Sequence, residues 1–218
     1  MVIARIVSIV IGYVFGLFET SYLYGKMKNT DIREHGSGNA GTTNALRTFG
    51  VWGGVITLLG DVCKSILAIV IAYLLFHNQY PDSVKLLMMY AGLGAILGHN
   101  FPFYLSFKGG KGIACTGGFI IAFCPAMVPL CLAVFVGAIV VTRYVSLGSL
   151  LVVIVFYMQL LIFGNQGMLG VDYSCLNEIY LLGAVIVVMA FVRHRGNIVK
   201  LWNHNENKIS FHKKEEEK

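Results

Sequence analysis

This chain is short of charge. Asp, Glu, Lys and Arg make up 13% of its 218 residues, against about 25% in an ordinary soluble domain. That deficit, with 56% hydrophobic residues and a mean hydropathy of +0.71, excludes a water-soluble globule and predicts a polytopic helical membrane protein. Cysteine is sparse too. Cys63, Cys115, Cys124, Cys131 and Cys175 are odd in number, and no two form a CxxC pair. This excludes a disulfide framework or a zinc site, so the five read as small apolar residues. Outside the polar tail, with Glu215 to Glu217, clustered carboxylates are missing, which leaves no candidate metal centre and no cofactor requirement. No basic patch interleaved with aromatics is present, which argues against nucleic acid despite a net charge of +6. An internal repeat is absent as well.

What is present is a series of apolar runs, at about 2–24, 51–76, 84–98, 113–141, 145–163 and 178–192. The first holds one early cation, Arg5, and no small-residue cleavage site, so it reads as an uncleaved span rather than a signal peptide. The 113–141 run, about 29 residues, exceeds the roughly 20 needed for one crossing. Pro125 and Pro129 interrupt it, and proline breaks a helix interior. Two shorter helices turning near Pro125 are therefore expected, for seven transmembrane helices in an all-α fold. With the N-terminus outside and the C-terminus cytoplasmic, every basic residue except Arg5, Lys64 and Lys85 falls in a cytoplasmic connection, as the positive-inside rule requires. One transmembrane domain over 1–209 is expected, followed by a polar, frayed tail over 210–218.

Three polar clusters then share one face. The first runs from Gly36 through Ser37, Gly38, Asn39, Gly41, Thr43 and Asn44 to Arg47. It contains a literal GxGxxG, but a membrane helix precedes it, not the strand of a dinucleotide fold. Glycines can expose backbone N–H groups, the polar side chains add hydrogen bonds, and arginine grips phosphate in two places. The second runs from Gly98 and His99 to Lys108-Gly109-Gly110-Lys111-Gly112. It is not a Walker A loop, since Leu105 and Gly112 stand where that motif needs glycine and Ser or Thr. Its glycines still suggest N–H groups closing around an anion, with lysines supplying charge and the next helix starting at Ile113. The third starts at Arg193, holds His194 and Asn197 and ends at Glu206. Ser146 and Ser149, just after Arg143, have the spacing to share a helix face. Asp61 and Lys64 form a charged pair inside an apolar run, which is usually structural.

Together these clusters resemble the bacterial acyl-phosphate-dependent glycerol-3-phosphate acyltransferase family. Ser37, Asn39, Gly41, Thr43, Asn44 and Arg47 match its S-x-N-x-G-x-T-N-x-x-R motif. Gly98, His99, Pro102, Phe107 and Lys108 to Gly112 match G-H-x-x-P-x-x-x-x-F-K-G-G-K-G. His194, Asn197, Ile198 and Leu201 match H-x-x-N-I-x-R-L. Ile113, Cys115, Lys200 and His204 depart from the family's valine, threonine, arginine and glycine.

The resemblance implies a seven-helix membrane enzyme that moves an acyl group from acyl phosphate to the 1-hydroxyl of glycerol 3-phosphate, yielding lysophosphatidic acid and phosphate. It implies catalytic roles for Ser37, Arg47, Lys108, Lys111, His194 and Asn197. Substrate contacts fall to Gly36, Gly38, Asn39, Gly41, Thr43, Asn44, His99, Gly109, Gly110, Gly112 and Glu206, and Ser146 and Ser149, from their spacing after Arg143, either cap a helix or join these contacts. The H-x-x-x-x-D motif of other glycerolipid acyltransferases is absent, because Ala40, Tyr104 and Val199 hold the positions after His35, His99 and His194. Leaving-group stabilisation and positioning are thus expected to dominate. The implied partners are the two substrates and the lipid bilayer, with no obligate protein partner. The rival reading is a transporter for a phosphorylated solute.

Overall fold

The computed structural model describes residues 1–209, so the expected tail over 210–218 lies outside the described residues. Among the described residues the fold is all-α: α1 Val2–Gly16, α2 Thr20–Met27, α3 Thr42–Phe76, α4 Val84–Asn100, α5 Ile113–Phe123, α6 Val128–Thr142, α7 Val145–Asn165, α8 Leu176–Arg193 and α9 Arg195–Trp202. Six helical stretches are long and apolar enough to cross a membrane: Val2–Met27, Thr42–Phe76, Pro81–Leu105, Pro125–Thr142, Val145–Asn165 and Tyr173–Arg193. The seventh expected element, α5, has 11 residues, or about 16 Å at helical rise, roughly half a hydrocarbon core.

α4 is the central helix and is buried along most of its length. Its small residues decide its closest partner. A side chain at Gly94 or Gly98 would overlap the backbone of α1, and one at Gly12 or Gly16 would overlap α4. Here the two backbones touch, as small-residue stripes allow in membranes. On the other side Phe119, Phe123 and Phe156 form an aromatic core, with ring centroids 5.2 and 5.5 Å apart. Outward faces such as Val2, Ile3, Ile6 and Val10 are exposed and apolar, which suits lipid contact.

The break in the 113–141 run falls where proline predicts it. α5 ends at Phe123, a short turn spans Pro125–Met127, and α6 starts at Val128. Pro129 sits in the first turn of α6, where its missing N–H costs nothing. The second run starts earlier than its apolar boundary. Helix begins at Thr42 and is interrupted at Gly50, with φ 75° and ψ −169°. Only glycine takes up that conformation readily. Thr43, Asn44 and Arg47 thus lie on a short helical segment rather than a loop. All five cysteines are free, four of them buried.

Candidate active site

The N-terminal ends of α3, α5 and α7 meet the C-terminal ends of α4 and α8, together with α9. Between them lies a cavity of about 480 Å³. Ser37, Asn39, Gly41, Thr43, Asn44, Arg47, His99, Lys111, Gly112, Ser146, Ser149, His194, Asn197 and Glu206 line its polar end. All three clusters therefore converge, although more than 140 positions separate Ser37 from His194 in the chain.

The first loop is organised by Asn44, which is buried. Its Oδ1 accepts the Ser37 N–H at 2.8 Å, and its Nδ2 donates to the carbonyls of Ile32 and His35 at 3.2 and 2.9 Å. Both amide hydrogens are used, so Asn44 shapes the loop rather than donating to a substrate. Gly36 has φ 61°, and a side chain there would strike Asn44 Oδ1. Gly36 and Gly38 lie outside the cavity lining and turn the chain.

The glycine loop corrects one expectation. The Gly109 N–H donates to Asn100 O at 3.3 Å and the Gly110 N–H to His99 O at 3.0 Å. Their carbonyls accept from Arg193, at 2.9 Å for Gly109 and 2.6 Å for Gly110. These two amides are spent on holding the loop and cannot close around an anion. The free amides come instead from the first turns of α5, after Gly112, and of α3, after Gly41. Among the described residues no carbonyl reaches the N–H groups of Thr42 and Thr43 in α3 or of the first turn of α5, whereas the Asn44 N–H already donates to Gly41 O at 3.1 Å; a helix N-terminus also favours negative charge. Lys108 is exposed and is not part of the cavity wall, unlike Lys111.

Arg47, Lys111 and Lys200 bring positive charge to the cavity. The Lys111 ammonium donates to Asn197 Oδ1, and Asn197 Nδ2 donates to both Glu206 oxygens at 3.0 Å. Burial pushes the Lys111 ammonium down to about 8; Glu206 opposes this, while Arg193, Lys200 and Arg47 add to it. Glu206 reaches Asn197 because His204 turns the chain at φ 55°. That left-handed turn costs a non-glycine residue roughly 1 kcal/mol, so the departure from glycine is tolerated. His194 is buried, and burial lowers it to about 4. Its Nδ1 lies 2.8 Å from Ala190 O. A carbonyl only accepts, so the proton is on Nδ1 and Nε2 is an acceptor. Ser149 Oγ donates to Val145 O at 2.8 Å, whereas buried Ser146 Oγ has no protein partner among the described residues.

Beyond the polar end the cavity turns apolar, lined by Leu58, Val62, Ile120, Ile121, Leu132, Phe135 and Val152. One wall is therefore cationic and the other hydrocarbon-like, as an anionic lipid requires.

The family described as glycerol-3-phosphate acyltransferase matches residues 6–204. The chain belongs to that family. It is an acyltransferase of phospholipid synthesis, and nothing in the family or its fold supports the transporter alternative. A glycerol-3-phosphate acyltransferase of Halalkalibacterium halodurans is 41% identical over 203 residues, covering 92% of this chain and 94% of the relative. That of Bacillus subtilis is 36% identical over 207 residues, covering 93% and 96%. A crystal structure of PlsY (YgiH), an integral membrane glycerol 3-phosphate acyltransferase, in its glycerol 3-phosphate form superposes with a TM-score of 0.82 at 29% identity, covering 94% of this chain and 96% of that one. Its lysophosphatidic acid form gives 0.79 at the same identity.

Sequence reasoning missed three features of this acyltransferase. Arg193 was read only as part of a basic cluster, yet it clamps the glycine loop and lies over Phe101, 5.1 Å from the ring centre. Lys200 reaches the cavity. Glu19 is fully buried beside His99. A carboxylate within the first apolar run was the available signal, since such residues are rare and costly there.

Proposed function

We propose that this enzyme transfers a fatty acyl group from acyl phosphate to the 1-hydroxyl of glycerol 3-phosphate, releasing 1-acylglycerol 3-phosphate and inorganic phosphate. The observation that carries the reading is the single cavity that joins a cationic end to an apolar arm. The acyl chain lies in the arm, and the phosphates lie against Arg47, Lys111 and the first-turn amides of α3 and α5. Ser37, Asn39 and Thr43 position glycerol phosphate, with Ser146 Oγ free to hydrogen-bond a substrate oxygen.

The glycerol hydroxyl attacks the acyl carbonyl. A carbon–oxygen bond forms, the bond to the phosphate oxygen breaks, and the hydroxyl proton ends on a phosphate. His194 orients that hydroxyl through Nε2. A ring lowered to about 4 is a weak base at neutral pH, which favours a substrate phosphate as proton acceptor. Arg47 and Lys111 stabilise the leaving phosphate.

We further place the N-terminus outside a bacterial inner membrane and the cavity on the cytoplasmic side, with α5 as the short element of seven and a single domain over 1–209. The cavity end gathers Lys26, Lys28, Arg33, Arg47, Lys108 and Lys111, whereas Arg5 pairs with Glu178 at 2.6 Å at the other end. That asymmetry is what the positive-inside rule demands.

The test is purified enzyme supplied with glycerol 3-phosphate and, in turn, acyl phosphate, acyl-CoA and acyl carrier protein. Phosphate release with acyl phosphate is expected, together with its loss in Lys111→Ala. Undiminished turnover in that variant would sink the assignment of Lys111.

A further inference from the structure

The densest group of buried charge has no part in the reaction so far. Glu19, Asp61, Lys64 and His99 expose 0%, 1%, 4% and 2% of their surface. Glu19 precedes α2, Asp61 and Lys64 sit on α3, and His99 lies in the last turn of α4. Lys64 is the centre of the group. Its ammonium is 2.7 Å from Phe18 O, 2.9 Å from Asp61 Oδ1 and 2.9 Å from His99 Nδ1. Thr20 Oγ1 donates to Asp61 Oδ1 at 3.1 Å, and Glu19 Oε1 lies 3.1 Å from His99 Nδ1. Asp61, His99 and Cys115 stand close enough together to suggest a metal tripod, but the Lys64 ammonium occupies the place of the cation.

An ammonium can only donate. Glu19 Oε1, though near the same ring atom, makes no hydrogen bond among the described residues, so Lys64 alone sets the tautomer: Nδ1 accepts and the ring proton is on Nε2. Nε2 is the atom that a side chain on Gly110 would strike, and Glu19 Oε1 is 3.1 Å from where a side chain on Gly109 would begin. The His99 carbonyl also takes the Gly110 N–H. The glycine loop thus rests on a ring that Lys64 orients, immediately before the cavity residues Lys111 and Gly112. A buried ion group is often no more stabilising than an apolar core of the same shape, so its contact with the glycine loop is the feature that sets it apart.

We propose that Lys64 is a positioning residue for the anion site. It holds His99 in the Nε2–H tautomer, seats Gly109 and Gly110 on that ring, and so sets where Lys111 and the α5 amides meet phosphate. The inference rests on the acyl-transfer reading for its kinetic arm only.

The experiment compares Lys64→Met with the parent enzyme in detergent by three readouts: KM against kcat for glycerol 3-phosphate, protection from thermal unfolding by inorganic phosphate, and the ring ¹⁵N shifts of His99, assigned with His99→Asn. The expected result is a KM raised about tenfold or more, lost phosphate protection, and a proton moved to Nδ1. A KM within about twofold of the parent, with only kcat or folded yield reduced, overturns the proposal. So does an unchanged His99 tautomer. If Lys64→Met does not fold, Gly110→Ala pushes the same ring from the loop side without touching a charge. It is expected to raise KM and shift the His99 signal, and no change in either overturns the proposal. A parent enzyme without acyl-phosphate-dependent turnover refutes the reaction, while the phosphate and tautomer arms still decide the role of Lys64.

Discussion

α1 and α5, on either side of α4, use glycine in opposite ways. Toward α1, Gly94 and Gly98 face Gly12 and Gly16 so closely that backbone meets backbone. Toward the cavity, α5 carries two neighbouring glycines with different surroundings. Gly118 is packed against the carbonyl of Val62, whereas a side chain on Gly117 would meet nothing within 4 Å. The first side is closed and serves the fold. The second is left open, and its vacancy is the apolar arm of the site. The same residue type thus marks either backbone-to-backbone packing or open space, depending on what stands opposite.

The comparison can be broken most forcefully on the closed side. Gly98→Val puts side-chain atoms into the Tyr13 carbonyl and the backbone of Gly16. Overpacking of this kind costs about 3 kcal/mol, and the expected outcome is little folded enzyme on size exclusion and a sharply lower thermal midpoint. On the open side, Arg47→Ala removes an exposed cation from the cavity wall. Activity is expected to fall about a hundredfold with the midpoint unchanged, and Arg47→Lys should restore part of it. A lowered midpoint would place Arg47 with the fold instead.

A pH profile sharpens the contrast further. Lys111 is held down to about 8 by burial, so the charged form prevails below that pH and is lost as pH rises through it. The free enzyme's kcat/KM should therefore decline above about pH 8. Lys111→Arg keeps its charge in that range and should move the decline upward. The smallest effect is expected at Gly117. Gly117→Leu fills open space, leaves stability near the parent value, and should shift preference toward shorter acyl donors by roughly tenfold. An unchanged chain-length profile would mean that the acyl chain does not run past Gly117.

Parts of this were readable along the chain because local chemistry dictates them. Pro125 cannot continue a helix through its interior, and the Arg47, Lys111 and His194 clusters stand out against apolar neighbours. The start of α3 was not readable. Thr42 to Phe49 is polar enough to look like loop, and only the positive φ at Gly50 joins it to the membrane helix. The glycine loop misled in an instructive way. Gly109 and Gly110 have the composition of an anion cradle, but their N–H groups are paired with the end of α4. Lys108 and Lys111 look equivalent in sequence, yet one faces outward and the other enters the cavity.

The sequence by itself determined the class of molecule, the apolar elements and the polar residue types that line the cavity. Hydropathy, proline and charge act over a few residues and do not wait for a partner. Tertiary structure decided which donors are free, which lysine enters the cavity and which groups Glu19 and Lys64 meet. Each of those depends on a partner supplied by another helix: the Arg193 guanidinium of α8 donating to the Gly110 carbonyl, and His99 Nδ1 of α4 accepting from Lys64. A hydrogen bond already made inside the protein is unavailable to a substrate, and only packing shows which ones are made.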